Sequence, residues 1–295
     1  MELKHLSVVV VGSGAWGSKI AKWLVRNYSQ FEVTNVGARD FLAEIEGAFK
    51  PMNSADGFYI LATTPLLQTK ILGLLAPFDV LIWAEKPLAC DLEQALILSD
   101  TFQESAARVL INFVWLFSDV WQETLREIQK LEDIAEIHIS RGGPGPIRTY
   151  ISPLEDYGSH DLALLISAID KEFSVIKYEH YRRGGTLLGE SFEVRFQRGI
   201  KVSATYDLEL PARTAVWEII DTAGNSINVD FYAGKIWTHS NALTANRYLS
   251  DDIKTDNLGN FLLSLLNCSK KDSNNSLELG VLTQMAVAKI QGNYR

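Results

Sequence analysis

The sequence predicts an α/β protein, with a doubly wound parallel sheet followed by an α+β domain whose open sheet is mainly antiparallel. Three observations support this fold class. Short apolar runs alternate with helical patterns from Ser7 to Phe113. A glycine-rich turn joins the first strand to the first helix. From Ser174 to Thr238, strand-like runs follow one another with only turns between them. We therefore expect two domains, at residues 1–118 and 119–295.

The first strand and its glycine turn carry the clearest local signal. Leu6–Val11 is an apolar, β-branched run typical of a parallel strand buried on both faces. The sequence GSGAWG follows at Gly12–Gly17 and opens a helix. In this strand–turn–helix context, GxGxxG predicts a Rossmann dinucleotide site: the glycines allow a tight turn, backbone approach to a pyrophosphate and close helix packing. The alternative is a glycine turn that binds nothing.

The end of the second strand indicates which dinucleotide is preferred. Phe31–Val36 reads as that strand, and Ala38 stands where a carboxylate would normally bind the ribose. Arg39 follows and could bind a 2′-phosphate through two parallel hydrogen bonds. We therefore expect NADP, with NAD possible. In the alternative interpretation, Arg39 is a solvated charge and Asp40 caps the next helix.

Strands and helices continue to alternate through the first domain. The predicted elements are a helix over Phe41–Phe49, a strand over Gly57–Ala62, a helix over Leu66–Leu75, a strand over Asp79–Ala84, a helix capped by Asp91 and a strand over Arg108–Phe113. Glu85-Lys86-Pro87 ends the fourth strand. Ligands of open α/β sheets lie outside the carboxyl ends of the strands, so this tripeptide should lie near the nicotinamide.

The second domain has a different pattern. A helix over Val120–Leu131 precedes an alternating strand over Ile134–Ile139, the loop Gly142–Pro146 and a helix opened by Asp156–Asp161. Later elements are predicted as strands over Ser174–His180, Ser191–Phe196, Lys201–Leu208, Ala215–Asp221, Ser226–Phe231 and Lys235–Thr238, helices over Asn260–Asn267 and Leu277–Ile290, and a polar loop over Ser269–Ser276.

Composition excludes several classes of function. The 295 residues are 47% hydrophobic and 22% charged, and the net charge of −8 comes without a basic stripe for nucleic acid. No apolar run approaches the roughly 20 residues that span a bilayer, and we expect no signal peptide. The two cysteines, Cys90 and Cys268, lack metal-ligand spacing. We expect reduced thiols, no bound metal and a cytoplasmic location.

Two later motifs, read with the glycine turn, carry a family resemblance. The tripeptide Glu85-Lys86-Pro87 is followed by Asp156-x-x-x-His160 and an antiparallel second domain. In this order the chain resembles the glucose–fructose oxidoreductase / inositol dehydrogenase (Gfo/Idh/MocA) family over nearly its whole length. The resemblance implies that Lys86 and His160 flank the carbon that exchanges hydride with the nicotinamide, with Asp156 beside them. Where family members usually have a histidine after the strand-three proline, this chain has Gln68.

The chemistry of these residue types agrees with the resemblance. Histidine titrates near neutral pH and can exchange a hydroxyl proton. Asp156 could orient it, and Lys86 could stabilise a developing alkoxide. Considered singly, His160 or Lys86 could be an ordinary helix-start or surface residue, and Asp161 is interpreted as a helix N-terminal charge. Predicted cofactor-binding residues are Gly12, Gly14, Ala15, Trp16, Gly17, Ala38, Arg39, Thr63, Thr64, Pro65, Glu85 and Lys86.

The expected function is that of an NAD(P)-dependent oxidoreductase acting on a small polar carbonyl or alcohol, such as a sugar, sugar derivative or polyol. One alternative is an imine reductase in which His160 or Tyr157 protonates nitrogen. Another is a nucleotide-binding regulatory protein without turnover. Arg148 and Tyr150 are candidates for substrate contact, and Asn112 for contact with cofactor or substrate. We expect a homodimer or homotetramer formed through the C-terminal sheet.

Overall fold

The computed structural model describes residues 5–47, 50–131, 133–145, 147, 148, 150–240, 243–250 and 256–293. The chain divides into two compact units, Met1–Phe113 with Leu262–Gln284 and Val114–Phe261 with Met285–Arg295. The first unit thus continues to Phe113 and also takes a C-terminal stretch that the sequence places in the second domain. Its elements are β1 (Leu6–Val11), α1 (Ala15–Asn27), β2 (Phe31–Val36), α2 (Ala38–Ile45), β3 (Gly57–Leu61), α3 (Pro65–Leu75), β4 (Leu81–Ala84), α4 (Leu92–Gln103) and β5 (Arg108–Ile111).

These five strands form one parallel sheet in the order β2-β1-β3-β4-β5. Every residue of β3 and β4 is buried, as the continuous apolar runs predict. The chain leaves β1 in one direction to β2 and later returns on its other side as β3. This reversal places the topological switch point between the carboxyl ends of β1 and β3, where open α/β sheets bind ligands. The predicted doubly wound fold is confirmed.

Two C-terminal helices follow, α7 (Asn257–Leu266) and α8 (Lys270–Ile290). The N-terminal part of α8 covers the edge strand β5: the backbone N–H of Val109 donates to Ser273 Oγ at 2.8 Å, and that of Ile111 donates to Ser276 Oγ at 2.9 Å. The predicted polar loop over Ser269–Ser276 is therefore wrong. These polar residues begin a helix because their hydroxyls satisfy the unpaired donors of an edge strand.

The second unit is built on an eight-stranded sheet. Its elements are a 3₁₀ turn (Val114–Phe117), α5 (Asp119–Ile128), β6 (Ile134–Gly142), a π-helical turn (Leu154–Gly158), α6 (Ser159–Ala168), β7 (Phe173–Arg183), β8 (Thr186–Phe196), β9 (Lys201–Asp207), β10 (Thr214–Asp221), β11 (Ser226–Asp230), β12 (Lys235–Ser240) and β13 (Leu243–Ser250). The strand order is β13-β12-β11-β10-β6-β9-β8-β7. All neighbours are antiparallel except β6 and β9, so the mainly antiparallel prediction is confirmed.

One face of this sheet is apolar because inward and outward residues alternate along each strand. In β10 the buried residues are Ala215, Trp217, Ile219 and Asp221. The inward side chains pack with those of α5 and α6, including Trp121, whose ring meets that of Trp217 at 5.6 Å and 72°. The core of the second unit therefore lies between this sheet face and the helices.

Several element boundaries differ from the predictions for local reasons. Helix α2 starts at Ala38, earlier than predicted, because Gly37 is its N-cap; Phe49, its predicted end, lies outside the described residues. Strand β13 was not predicted. In α1, Ile20 and Leu24 are buried, whereas Val25 is 61% exposed. Asp91 does cap α4, since its carboxylate accepts from the N–H of Gln94 at 2.8 Å.

Across the described stretches, no helix has both the length and the apolar character needed to cross a bilayer.

Candidate active site

The glycine turn has the shape that a dinucleotide phosphate requires. A Cβ at Gly12, whose φ is +128°, would lie 2.2 Å from the carbonyl oxygen of Ala62, and one at Gly17 would lie 1.9 Å from that of Gly12. Both positions therefore exclude any side chain. At Gly14, by contrast, a Cβ would meet nothing within 4 Å. The turn is thus closely packed at Gly12 and Gly17 and open at Gly14, an arrangement that leaves room for a pyrophosphate beside Gly14.

The first turn of α1 provides the donors for such a group. Gly14 is the N-cap, and no side chain caps the helix there. Ala15 and Trp16, the first two helical residues, are exposed. The backbone N–H groups of this turn are consequently available to an anion, and the helix dipole favours negative charge at this end. Asn35 of β2 steadies the turn by donating from Nδ2 to the carbonyls of Val10 and Gly12 at 2.9 and 3.0 Å.

Three strand ends meet this turn at the same edge of the sheet. Strand β1 leads into Gly12, β3 leads into Thr63 and the N-cap Thr64, and β4 leads into Glu85. An interaction with the Trp16 side chain lowers the pKa of Glu85, so the glycine turn lies close to the tripeptide after β4. The structure thereby groups the predicted cofactor residues of β1, β3 and β4 within the first unit.

Glu85 lies in a network of donors. Its carboxylate accepts from Trp83 Nε1 at 3.2 Å and from Asn112 Nδ2 at 2.8 Å. Burial raises the pKa of Glu85, against the hydrogen bonds from Trp16 and Asn112, which lower it. Asn112 is 2% exposed, and its Oδ1 has no hydrogen-bond partner among the described residues. This buried acceptor at the carboxyl end of β5 is a polar atom for which a ligand could supply the donor.

Gln68 anchors the segment that carries Lys86. Its side-chain amide donates from Nε2 to the carbonyls of Glu85 at 2.5 Å, Pro87 at 2.9 Å and Leu88 at 3.2 Å. Its Oε1 accepts from the N–H of Glu85 at 2.9 Å. The Lys86–Pro87 peptide bond is cis. The backbone on both sides of Lys86 is therefore held by one buried side chain of α3, which fixes the position of the Lys86 backbone.

Arg39 and Asp40 occupy the first turn of α2. Arg39 is exposed and forms no ion pair within the described part of the chain. A Cβ at Gly37 would lie 2.5 Å from Asp40 Oδ2, so the Asp40 carboxylate turns back over the N-cap, and Gly37 rather than Asp40 caps the helix. A free guanidinium and a carboxylate thus stand side by side at the end of β2. The guanidinium suits a 2′-phosphate and the carboxylate suits ribose hydroxyls.

Asp156 and His160 belong to the second unit, whereas Lys86 belongs to the first. Asp156 lies in the π-helical turn, where Leu154 and Gly158 are buried, and forms an ion pair with Arg148. His160 is the second residue of α6 and is half-buried. The predicted helix entrance is thus a π turn followed by an α-helix. The orienting contact between Asp156 and His160 stays a prediction.

Asp161, next to His160, is the acidic residue of the first turn of α6 and is buried. Its carboxylate accepts from Arg141 Nε and Nη2 at 2.8 and 2.6 Å and from Trp217 Nε1 at 2.9 Å. Arg141 is 1% exposed and Asp161 is 0% exposed. The Arg141 guanidinium also lies 5.4 Å from the ring of Trp115. The first turn of α6 is thereby fastened to β6 and β10.

The sequence could not identify the residues that hold this site together. Gln68, Asn35 and Arg141 are polar residues whose partners lie far away in the chain, and no local pattern marks them. Glu190 is another: it is 2% exposed and accepts from the N–H of Leu154, at the start of the π turn, at 2.6 Å. Only its position in an otherwise apolar, alternating strand signals a buried role.

Comparison with solved structures gives whole-chain matches at low identity. MviM, a dehydrogenase from Clostridium difficile, is 13% identical over 98% of this chain and 99% of that one, with a TM-score of 0.77. KijD10, a 3-ketoreductase from Actinomadura kijaniata in complex with TDP-benzene and NADP, is 16% identical over 98% of each chain, with a TM-score of 0.78. Its complex with NADP matches at 15% identity over the same share of each chain, with a TM-score of 0.77.

No protein-family model matches the sequence, and no curated protein matches it either. At these identities the structural likeness establishes the fold. It agrees with the two-domain architecture that the family resemblance implies.

Proposed function

We propose that this protein is an NADP-dependent oxidoreductase that transfers hydride between the nicotinamide and a carbonyl or alcohol carbon of a sugar, sugar derivative or polyol. The observation that carries the proposal is the glycine turn, closed at Gly12 and Gly17 and open at Gly14, with three strand ends beside it. MviM and KijD10, which share the fold, are a dehydrogenase and a ketoreductase, and KijD10 was solved with NADP.

The chain's own residues divide the work of binding. The N–H groups at the start of α1 would hold the pyrophosphate, and Arg39 the 2′-phosphate. Thr63, Thr64, Pro65 and Glu85 would line the approach to the nicotinamide at the carboxyl ends of β3 and β4. When bound, the cofactor supplies or accepts the hydride.

Proton transfer and charge stabilisation fall to Lys86 and His160. The Lys86 ammonium would donate a hydrogen bond to the substrate oxygen and stabilise the charge that develops there. His160 would deliver a proton to that oxygen during reduction, or remove it during oxidation. Asp156 would hold the imidazole in the required orientation. Gln68 contributes indirectly, because its hydrogen bonds fix the backbone from which the Lys86 side chain projects.

Titration of the purified protein with NADPH and NADH, followed by nicotinamide fluorescence, tests the cofactor proposal. We expect tighter binding of NADPH, and we expect Arg39→Ala to weaken it about 10- to 100-fold while leaving NADH unchanged, because a charge-assisted contact to the 2′-phosphate is lost. Arg26→Ala, which removes an exposed arginine from the last turn of α1, is the matched variant and should not weaken NADPH. Preferential NADH binding would reverse the cofactor assignment; no binding of either would overturn the proposal.

Turnover separates the enzyme from its alternatives. With NADP(H) bound, sugars, polyols and cyclic imines would be assayed with wild type, Lys86→Ala and His160→Ala. We expect activity on a carbonyl or alcohol and a loss of about 10²- to 10³-fold in kcat/KM for each variant. Activity on imines alone would replace carbonyl chemistry with C=N reduction. Cofactor binding without turnover of any of these substrates would favour the alternative of a nucleotide-binding regulatory protein.

A further inference from the structure

The end of the second sheet that leads to His160 also carries a cluster of cationic and aromatic side chains. Strands β6 and β9 both finish there, with Gly142 paired to Asp207, and β10 starts there, with Thr214 paired to Gly142. The loop after Gly142 runs to the π turn of Asp156. Whatever this sheet end binds is consequently next to the segment proposed to carry out proton transfer.

Arg213 and Tyr157 flank the same short loop. A Cβ at Gly143 would lie 2.8 Å from the Cα of Arg213, and one at Gly145 would lie 2.9 Å from the Tyr157 hydroxyl. Burial, followed by the charges of Asp156 and Tyr232, raises the pKa of Tyr157, and Arg148 and Arg213 oppose that rise. The hydroxyl therefore keeps its proton at neutral pH and can donate a hydrogen bond.

Three acidic residues of this sheet end already have side-chain partners. Asp156 pairs with Arg148, and Glu209 pairs with Arg183 at 2.5 Å. Asp207 accepts from the Tyr181 hydroxyl. Among the described residues, none forms an ion pair with Arg213, which is exposed. One guanidinium at this end is therefore left for an anion from solution.

Aromatic side chains complete the cluster. Trp115, in the 3₁₀ turn, is half-buried, and its ring meets that of Tyr232 at 5.6 Å and 75°. Tyr232 is 43% exposed and follows β11, which ends at the same edge of the sheet. We call Trp115, Arg148, Tyr157, Arg213 and Tyr232 the arginine–aromatic patch. The exposed Tyr232 and the half-buried Trp115 and Tyr157, together with two exposed arginines, suit a ring-shaped substrate with a charged substituent.

We propose that the arginine–aromatic patch binds an anionic substituent of the substrate, a phosphate or carboxylate group, and that Arg213 is its principal cation. The inference rests on the proposed function for the identity of the reacting carbon. It adds that the substrate is charged: a sugar phosphate or a sugar acid, not a neutral sugar. Tyr157 would donate to the same anion, and Arg148, paired with Asp156, would link that anion to the catalytic segment.

Anion binding can be measured without cofactor or substrate. Line broadening in NMR spectra would follow inorganic phosphate and acetate titrated against wild type, Arg213→Ala and Arg198→Ala at constant ionic strength. Arg198 is exposed in the turn between β8 and β9, at the opposite end of the sheet, and serves as the matched control. We expect Arg213→Ala to weaken binding of one anion about 10-fold, with Arg198→Ala unchanged. Equal binding by wild type and Arg213→Ala would overturn the proposal.

The two anions identify the source of the charge, and a further variant removes a competing site. Loss of phosphate binding alone indicates a phosphate ester, whereas loss of acetate binding indicates a carboxylate. Because the proposed 2′-phosphate position beside Arg39 could also hold phosphate, Arg39→Ala is titrated in parallel. Phosphate binding that falls in Arg39→Ala and not in Arg213→Ala would place the anion at the dinucleotide site and contradict the proposal.

Steady-state kinetics then test the role in substrate recognition. A neutral sugar, its phosphate ester and its uronic acid form a matched set. For the charged member that is turned over, we expect Arg213→Ala to raise KM at least about 10-fold with a smaller change in kcat, because an arginine bound to a non-reacting group contributes equally before and during reaction. Equal KM values for neutral and charged members would overturn the anion proposal and leave the oxidoreductase standing. Failure to bind any pyridine nucleotide would overturn the oxidoreductase, and the phosphate titration would still report on the patch.

Discussion

Asp161 and Gln68 show how the role of a residue depends on partners remote in the chain. By sequence, Asp161 is a helix-start carboxylate, and Gln68 is a polar residue in an apolar helix, where the family that the chain resembles usually has a histidine. In the structure Asp161 faces Arg141, twenty residues earlier, and Gln68 faces the backbone around Lys86. Both are almost fully buried. Burial of a polar group is stable only with its hydrogen bonds made, so each indicates that its surroundings are built to a defined geometry.

The two cysteines should differ sharply in reactivity. Burial raises the pKa of Cys268 to about 11. Desolvation and the neighbouring Asp91 also raise the pKa of Cys90, but Cys90 is exposed to reagent. Because the shift is upward, the Cys268 thiol keeps its proton as pH rises, and about one thousandth of it is thiolate at pH 8. We expect iodoacetamide to label the native protein at Cys90 alone between pH 7 and 9, as measured by mass spectrometry.

Two controls make the labelling result decisive. Cys90→Ser should abolish the single native adduct, and unfolding in guanidinium should expose both thiols of wild type. Rapid labelling of Cys268 in the folded protein at pH 8 would show that α7 and α8 do not protect this site.

At the scale of elements, the Arg141–Asp161 pair holds α6 to the sheet. Asp161→Leu leaves the buried Arg141 charge without its partner, which should cost about 3–5 kcal/mol in the free energy of unfolding. Combining it with Arg141→Met removes both charges and should restore most of that loss. Urea denaturation followed by tryptophan fluorescence measures each variant.

An exposed ion pair provides the comparison. Arg126 pairs with Glu123 on the surface of α5, with side chains 66% and 31% exposed, and Arg126→Ala should change stability by less than about 1 kcal/mol. If Asp161→Leu cost no more than Arg126→Ala, the buried pair would not be what fastens α6 to β6 and β10.

The elements themselves were predictable where hydrophobic pattern and geometry agree. The β-branched runs of β1, β3 and β4 and the alternation in β10 identify strands without further information. The polar start of α8 could not be recognised, because Ser273 and Ser276 face the N–H groups of β5 and not solvent. The parallel pairing of β6 with β9 could not be predicted either. An alternating pattern indicates that one face of a strand is buried, but it does not indicate whether the neighbouring strand is parallel or antiparallel.

In the candidate site, too, some residues could be predicted from the sequence and others could not. The glycine turn and the Glu85-Lys86-Pro87 tripeptide were predicted because they are contiguous motifs that follow strands. The residues that support them were not predicted: Asn35 holds the turn, Gln68 holds the tripeptide, and Glu190 holds the π turn. Their hydrogen bonds join residues far apart in the chain, and these pairings become visible only in the folded molecule.

For the whole molecule, the outer face of the second sheet carries the prediction of an oligomer. Val216, Ile220 and Trp237 point away from the buried face and are half-exposed. A sheet face that retains apolar side chains is a suitable contact for a second copy. We expect a dimer or tetramer in light scattering at micromolar concentration.

A charged substitution provides the matched variant for this prediction. Ile220→Arg should shift the scattering mass toward that of a monomer because it buries an unpaired charge in the contact. Val25→Arg, on the exposed side of α1 in the other unit, should not. A monomer of wild type at micromolar concentration would exclude the oligomer.

The cover that α8 provides for β5 has a consequence for how the protein is made. The first sheet is translated early, yet the serines that close its last strand lie more than 160 positions later, at Ser273 and Ser276. Until the residues after β5 have been synthesised as far as α8, β5 has an uncovered edge of the kind that pairs with strands of other chains. Nascent chains that stop after Phe113 should therefore depend on chaperones. A chain truncated at Leu266 would still lack the two serines that cover the edge of β5.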